Sequence, residues 1–206
     1  MLSRDQYKTE ADLLGCETEA IMAVSLVESD GHGFQGNGQP RILFEGHIFW
    51  KQLLKAGINP ESIQKGNEDI LYPVWNLATV RPFYNMNQYQ RLDKARAINH
   101  EAALKSASWG AFQIMGFNYA ACGYSSVDDF VTAQANEFTQ LQCFSNYIKN
   151  THLNVNLKNL DWAGFAQAYN GKDYRANDYD TKLKAAYDKY KNEHLSITQT
   201  LQQQIN

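Results

Sequence analysis

The most apolar stretch of the chain lies near its beginning. Ala20 to Val27 are apolar at every position but one, and a helix that is apolar on nearly all sides is expected to lie inside a core. A preceding amphipathic segment, from about Arg4 to Leu14, is opened by a capping-box pair and closed by a glycine. After Val27 the chain becomes polar and glycine-rich, so the buried helix is predicted to end at Glu28.

Helical periodicity continues in the second half of the chain. The spacing of apolar residues predicts one helix over Gln88–Lys105 and another from a serine cap at Ser126 to about Ile148. Asp161 is placed to cap a helix that ends at Asn170, where a glycine follows. A last helix is predicted from about Tyr179 to His194, followed by a polar tail with frayed ends.

The remaining segments lack a helical period. Asp30 to Pro40 reads as an irregular loop, Arg41 to Phe44 as a short strand, and His47 to Leu54 as a short helix. Ala56 to Asn87 contains three prolines and is predicted as loops with one or two short helices. Trp109 to Gly116 is interpreted as a compact turn or short helix.

Together these elements predict a mainly α fold in a single domain over residues 1–206, with at most a small β-hairpin near Arg41 and the active site. The net charge of −3 and the lack of a basic block argue against binding to nucleic acid. The three cysteines lack a metal-binding or redox spacing, so they are expected to act as small buried hydrophobes.

The chain shows no targeting or membrane-spanning pattern. Its first residues lack a charged-then-apolar signal sequence, and no apolar run approaches the length that a bilayer requires. We therefore expect a monomer made in the cytoplasm without a signal peptide and without stable membrane insertion. If its target lies outside the cytoplasm, another component must provide access to it.

Two glutamates stand where an apolar run ends. Glu28 follows the buried helix, and Glu45 follows Ile42 to Phe44. Apolar surroundings and the partial negative charge of a helix C-terminus both raise the pKa of a carboxyl. We interpret Glu28 as a general acid that stays protonated near neutral pH, and Glu45 as the second carboxylate. The simpler alternatives are a solvated helix-end acid for Glu28 and a salt bridge with Arg41 for Glu45.

Other chemistries are poorly supported. Asp30 with His32 and Glu45 with His47 form two acid-x-histidine pairs, but neither has helical metal-ligand spacing, so no metal and no organic cofactor are expected. The glycine-rich residues 33–38 follow a predicted helix and not a strand, which argues against a phosphate-binding loop.

Polar groups suited to a sugar ligand occur elsewhere in the chain. Ser108 and Gln113 bracket a tight turn, and Tyr169 and Asn170 lie at a predicted helix end. A polysaccharide cleft needs an acid, hydrogen-bonding groups for hydroxyl and N-acetyl substituents, and aromatic faces for sugar rings. We therefore predict these four residues, together with His47, as substrate-binding residues.

Several long motifs resemble a known family. The chain is similar to the phage-type N-acetylmuramidase domain of endolysins, within the wider lysozyme-like group, from about residue 15 to 192. The matching stretches are Glu28-Ser29, Arg41-Ile42-Leu43-Phe44-Glu45-Gly46-His47-Ile48-Phe49-Trp50, Ser106-Ala107-Ser108-Trp109-Gly110-Ala111-Phe112-Gln113-Ile114-Met115-Gly116-Phe117-Asn118-Tyr119, Asp161-Trp162-Ala163 and Tyr169-Asn170-Gly171.

This resemblance implies a lysozyme-like helical fold and an enzyme that cleaves the β-1,4 bond between N-acetylmuramic acid and N-acetylglucosamine in the glycan strand of peptidoglycan. It implies that Glu28 is the catalytic acid. It also implies action on periplasmic peptidoglycan after release from the host cytoplasm. We expect the glycan to lie between the end of the Glu28 helix and the Ser108–Gln113 turn, with Glu45, or failing that Asp30, stabilising the transition state or orienting water.

Two alternatives follow from the same residues. Lytic transglycosylases and goose-type lysozymes share similar short motifs, but in this chain the turn ending in Gln113 lies much further from Glu28 than in the transglycosylases. The first alternative is therefore a lytic transglycosylase that forms 1,6-anhydro products. The second, from a different class, is a module that binds peptidoglycan without cleaving it.

Overall fold

Helices dominate the computed structural model, which describes residues 2–172 and 174–205. That part of the chain contains eleven α-helices and three short strands, so the mainly α prediction is confirmed. The helices are α1 (Arg4–Leu14), α2 (Thr18–Ser29), α3 (Gly46–Lys55), α4 (Leu77–Tyr84), α5 (Gln88–Ile98), α6 (His100–Lys105), α7 (Val127–Ala133), α8 (Glu137–Asn150), α9 (Asn154–Lys158), α10 (Trp162–Asn170) and α11 (Tyr179–Ile205), and the strands are β1 (Ile42–Phe44), β2 (Ala107–Trp109) and β3 (Ile114–Met115).

The chain divides into two compact units. One unit combines the residues up to His32 with those from Leu141 onward, and the other spans Gly33–Gln140. The first unit is therefore discontinuous in sequence. A single catalytic domain over residues 1–206 stays a prediction. Within the described part of the chain, no helix combines the length and apolar character needed to cross a bilayer.

Helix α2 is the buried centre of the first unit, as its apolar sequence predicts. Its small residues Ala20 and Ala23 are fully buried against Ala186 and Tyr187 of α11. Small side chains at such a contact allow two helix backbones to approach closely. Helix α1 begins with the predicted capping box and ends at the predicted glycine, which adopts a left-handed conformation.

Helix α11 is longer than predicted. The sequence placed its end near His194, but the helix continues to Ile205, so most of the expected polar tail is helical. The reason is that no glycine or proline interrupts this segment, and the hydroxyls of Ser196 and Thr200 donate to carbonyls one turn earlier. Asn206, the last residue of the predicted tail, lies outside the described residues.

Two helices that the sequence predicted as continuous are divided by asparagines. The predicted Gln88–Lys105 helix breaks at Asn99, whose backbone is extended. The side chain of Asn99 caps α6 by accepting the N–H of Ala102. Asn136 similarly accepts the N–H of Phe138 and separates α7 from α8. A short amide side chain competes with the helical backbone for hydrogen bonds, and this competition overrides the apolar period.

The three strands form a small antiparallel sheet in the second unit, in the order β1-β2-β3. Strand β1 confirms the predicted short strand, with Ile42 opposite Trp109. A compact turn, one of the two structures predicted for Trp109 to Gly116, is present at residues 110–113. It forms the loop of a hairpin that was not predicted here, since Trp109 also pairs with Ile114. Gln113 makes this hairpin possible by adopting a left-handed backbone, with φ of 46°.

Arg91 of α5 is buried at the centre of the second unit, where only 1% of its surface is exposed. Its guanidinium donates to the carbonyl oxygen of Phe44 and to Oε1 of Gln88, each at 2.8 Å, and twice to the carbonyl oxygen of Asp69. The rings of Phe44 and Phe83 lie within 5.7 Å of the charge. Arg91 therefore ties strand β1 to the segment that precedes α5.

Replacing Arg91 with alanine is expected to destabilise the protein by about 3 kcal/mol or more, because it leaves buried carbonyls without donors and opens a cavity. Arg96→Ala is the matched control, since Arg96 is exposed and its ion pair with Asp93 contributes about 0.5 kcal/mol. Urea unfolding followed by circular dichroism measures both. Equal, small effects would show that the buried guanidinium does not support the fold.

Candidate active site

Glu28 lies in the last turn of α2, half-buried behind the apolar residues that precede it. Its Oε1 accepts a hydrogen bond of 2.8 Å from Nδ2 of Asn170, the last residue of α10. Burial raises the pKa of Glu28 to about 7, although the hydrogen bond from Asn170 lowers it. Near neutral pH this carboxyl can therefore both hold and release a proton.

The C-terminal end of α10 is fixed by aromatic packing. The ring of Tyr169 stacks on Phe165 with centroids 5.1 Å apart and meets Phe144 and Tyr147 edge-on. At the other end of the helix the predicted cap is confirmed, because Asp161 accepts the N–H of Gly164. This packing restrains the end of α10, which in turn holds the neighbouring amide against Glu28.

Both protonation states of Glu28 can be satisfied by the same amide. Oδ1 of Asn170 is buried and has no hydrogen-bond partner among the residues that the structure describes. Rotation of the amide by half a turn would let Oδ1 accept a hydrogen bond from the protonated carboxyl of Glu28, whereas Nδ2 donates a hydrogen bond to the ionised carboxylate. Asn170 is therefore suited to hold the carboxyl in place throughout a proton transfer.

Tyr179 is a neighbour of Glu28 that sequence reasoning missed. It is the first residue of α11 and is half-buried. Its pKa is raised first by burial and then by the charge of Glu28, which places the phenol within electrostatic range of the carboxyl. A tyrosine at a helix start carries no signal that distinguishes it in the sequence, so only the folded chain brings it to this position.

Glu45 lies at the start of α3 in the second unit, and its side chain does not cap that helix. Tyr84 donates its hydroxyl to both carboxylate oxygens, at 3.2 and 3.0 Å. Nδ1 of His47 is 3.4 Å from Oε2 but is not aligned for a hydrogen bond. The structure therefore brings the two predicted residues Glu45 and His47 together and adds Tyr84, which the sequence reasoning did not single out.

Ser108 and Gln113 face one another across the β2–β3 hairpin. The hydroxyl of Ser108 donates to Oε1 of Gln113 at 2.8 Å, and Nε2 of Gln113 donates to the carbonyl oxygen of Gly110 at 2.8 Å. Both ends of this amide are thus used to close the hairpin turn. Any contact of these two residues with a substrate stays a prediction.

The predicted residues form three groups. Glu28, Tyr169 and Asn170 belong to the first unit. The second unit contains two pairs, Glu45 with His47 and Ser108 with Gln113. Among the described residues, no group of three or more histidine, cysteine, aspartate or glutamate side chains is arranged to hold a metal ion.

Comparison with known proteins gives the family. A family model described as N-acetylmuramidase matches residues 17–191. The chain belongs to the N-acetylmuramidase family. This muramidase is also similar to a solved structure, the crystal structure of the Burkholderia AP3 phage endolysin, with 36% sequence identity and a TM-score of 0.79. The match covers 93% of this chain and 72% of that one. No curated protein matches the sequence.

These matches confirm the resemblance drawn from the motifs. The muramidase is a glycoside hydrolase of the lysozyme type with a role in peptidoglycan hydrolysis. The matched range contains all seven predicted site residues, from Glu28 to Asn170. Their individual roles stay predictions.

Replacing Glu28 with glutamine is expected to stabilise the muramidase at pH 8 but not at pH 4. The folded protein holds this proton with a pKa of about 7 instead of 4.5. Stability from the protonated carboxyl is therefore complete below about pH 4.5 and is lost as the pH rises through 7. Glutamine stays neutral at every pH. The free energy of unfolding of the Glu28→Gln protein should therefore exceed that of the native protein by about 3 kcal/mol above pH 7.

Urea unfolding at pH 4, 6 and 8 measures this difference. The same exchange at Glu193, whose side chain is exposed on α11, provides the baseline. A stability difference between native and Glu28→Gln protein that does not change with pH would rule out a raised pKa at this position.

Proposed function

We propose that this muramidase cleaves the β-1,4 bond between N-acetylmuramic acid and N-acetylglucosamine, with Glu28 as the general acid. The observation that carries the proposal is the half-buried carboxyl at the end of α2, whose pKa is raised by burial to about 7. A general acid works best when its pKa lies near the operating pH, and glycosidases commonly use a carboxyl of this kind.

The reaction follows from the surroundings of Glu28. The carboxyl gives its proton to the oxygen of the glycosidic bond, the bond from that oxygen to the sugar carbon breaks, and positive charge develops on the sugar ring. The new carboxylate is then held by the N–H of Asn170, since a hydrogen bond to a charged acceptor is the stronger one. Water adds to the sugar carbon, and its released proton restores Glu28.

We propose Glu45 as the second carboxylate, which stabilises the developing charge or orients the water. The hydrogen bonds from Tyr84 support this role, because they hold both oxygens of the carboxylate in a fixed position. Asp30 is the alternative for this role. Ser108, Gln113, Tyr169, Asn170 and His47 are proposed to bind the sugar and its N-acetyl groups.

The setting of the reaction is proposed from the similarity to the Burkholderia AP3 phage endolysin. By analogy, the muramidase acts as an endolysin: it is made in the host cytoplasm as a monomer and cleaves the peptidoglycan of the periplasm after release.

Glu28→Gln is expected to lower the rate of lysis by about 10³-fold while the protein stays folded, because glutamine cannot donate a proton to the leaving oxygen. For the native protein, kcat/KM should fall as the pH rises above about 7, since the acid then ionises. A turbidity assay on cells stripped of their outer membrane measures both, with Glu193→Gln as the control. Lysis by Glu28→Gln at the native rate would exclude Glu28 as the acid.

Mass spectrometry of the products tests the same assignment at the level of the bond. Hydrolysis by native protein should give N-acetylmuramic acid at the new reducing ends, and these products should be missing from the Glu28→Gln digest. Products lighter by one water, with 1,6-anhydro ends, would show instead that the enzyme is a lytic transglycosylase.

Glu45→Gln is expected to lower kcat by about 10²-fold with little change in KM, a smaller loss than for Glu28→Gln, because the neutral amide keeps its size but not its charge. Steady-state turbidity assays over a range of peptidoglycan concentrations measure both constants, and Glu61→Gln serves as the exposed control. An unchanged kcat would remove Glu45 from the mechanism and direct attention to Asp30.

A further inference from the structure

An exposed apolar surface lies close to Glu45. It consists of Val74, Trp75 and Leu77, whose exposed fractions are 70%, 44% and 55%; we call it the Trp75 patch. Of the other tryptophans, Trp50 and Trp109 are buried. An exposed indole with apolar residues on both sides is uncommon on a protein surface and is typical of a binding site.

Two hydrogen bonds connect the indole to the carboxylate. Nε1 of Trp75 donates to the hydroxyl oxygen of Tyr84 at 2.8 Å, and that hydroxyl donates to Oε2 of Glu45 at 3.0 Å. Because the tyrosine oxygen accepts from the indole, its single proton is directed to the carboxylate. Burial, followed by the charge of Glu45, raises the pKa of Tyr84, so the hydroxyl keeps that proton.

The segment that carries the Trp75 patch is fixed without a ligand. Before the patch, the Tyr72 hydroxyl accepts the N–H of Gly46 at 3.2 Å, and its ring stacks on His47 and Phe83. A side chain at position 46 would come within 2.4 Å of the Tyr72 ring, so this close approach requires glycine. The indole edge is thus held in place while its ring remains partly exposed.

We propose that Trp75 is a substrate-binding residue whose indole face packs on an N-acetylhexosamine ring of the glycan strand. Sugar rings present C–H groups on one face, and these match the negative face of an aromatic ring. The short connection to Glu45 links this contact to the proposed second carboxylate, a step that rests on the proposed role of Glu45. Through Tyr84, Trp75 is also a positioning residue for that carboxylate.

The two roles of Trp75 can be separated by substitution. Trp75→Phe keeps an aromatic face but removes the N–H, whereas Trp75→Ala removes both. Tyr84→Phe breaks the connection to Glu45 and leaves the indole in place. Leu13→Ala is the matched control, since Leu13 is an exposed apolar residue on α1 with an exposed fraction of 69%.

Binding is measured first in protein that carries Glu28→Gln, so that the ligand is not consumed. Titration calorimetry with soluble, peptide-free glycan strands should give an affinity that Trp75→Ala weakens about tenfold, while Trp75→Phe and Leu13→Ala change it less than about threefold. Glycan should also shift the tryptophan fluorescence of the Glu28→Gln protein, and Trp75→Phe should remove that shift. Equal affinities for Trp75→Ala and Leu13→Ala would overturn the proposal.

Kinetics in otherwise native protein test the positioning role. Trp75→Phe and Tyr84→Phe should lower kcat with little change in KM, whereas Trp75→Ala should raise KM about tenfold as well. An unchanged kcat in both phenylalanine variants would overturn the positioning role. Weaker binding by Trp75→Ala, combined with a native rate for Glu45→Gln, would leave Trp75 as a binding residue and contradict the proposed role of Glu45.

Discussion

The acid role that we propose for Glu28 depends on one hydrogen bond in a desolvated place, between the amide of Asn170 and the carboxyl of Glu28. Burial alone would favour a permanently protonated acid, and full exposure would favour an ionised one. The hydrogen bond from the amide opposes the effect of burial, and the resulting pKa of about 7 suits the general acid that we propose. The capping of α10, the stacking of Tyr169 and the packing of α2 all maintain this contact.

Glu45 is held by a different arrangement. Its carboxylate accepts a hydrogen bond from the hydroxyl of Tyr84. The carbonyl oxygen of Tyr84 accepts from Gln88, and Gln88 in turn accepts from the buried guanidinium of Arg91. Arg91 binds backbone carbonyls and a glutamine and lies beside aromatic rings. Each unit thus presents one carboxyl through long-range contacts, and in both cases a neutral side chain, an amide or a phenol, makes the direct hydrogen bond.

The sequence predicted those features that depend on neighbouring residues. The end of α2 one residue after Glu28, the cap at Asp161 and the strand Ile42–Phe44 are all encoded locally by apolar runs and short polar side chains. Features that depend on distant residues could not be predicted. The hairpin at Gln113 needs a left-handed backbone and a partner strand, and Tyr84 and Tyr179 reach their carboxyls only after folding.

The discontinuous first unit has a consequence for biosynthesis. Helix α2 packs its alanines on Ala186 and Tyr187, which follow more than 150 residues later in the chain. During translation, α2 leaves the ribosome long before its partner helix exists, whereas the residues of the second unit can already associate among themselves. The contact that buries Ala20 and Ala23 of α2 therefore forms only once α11 has been synthesised, so the first unit is completed after the second unit has left the ribosome.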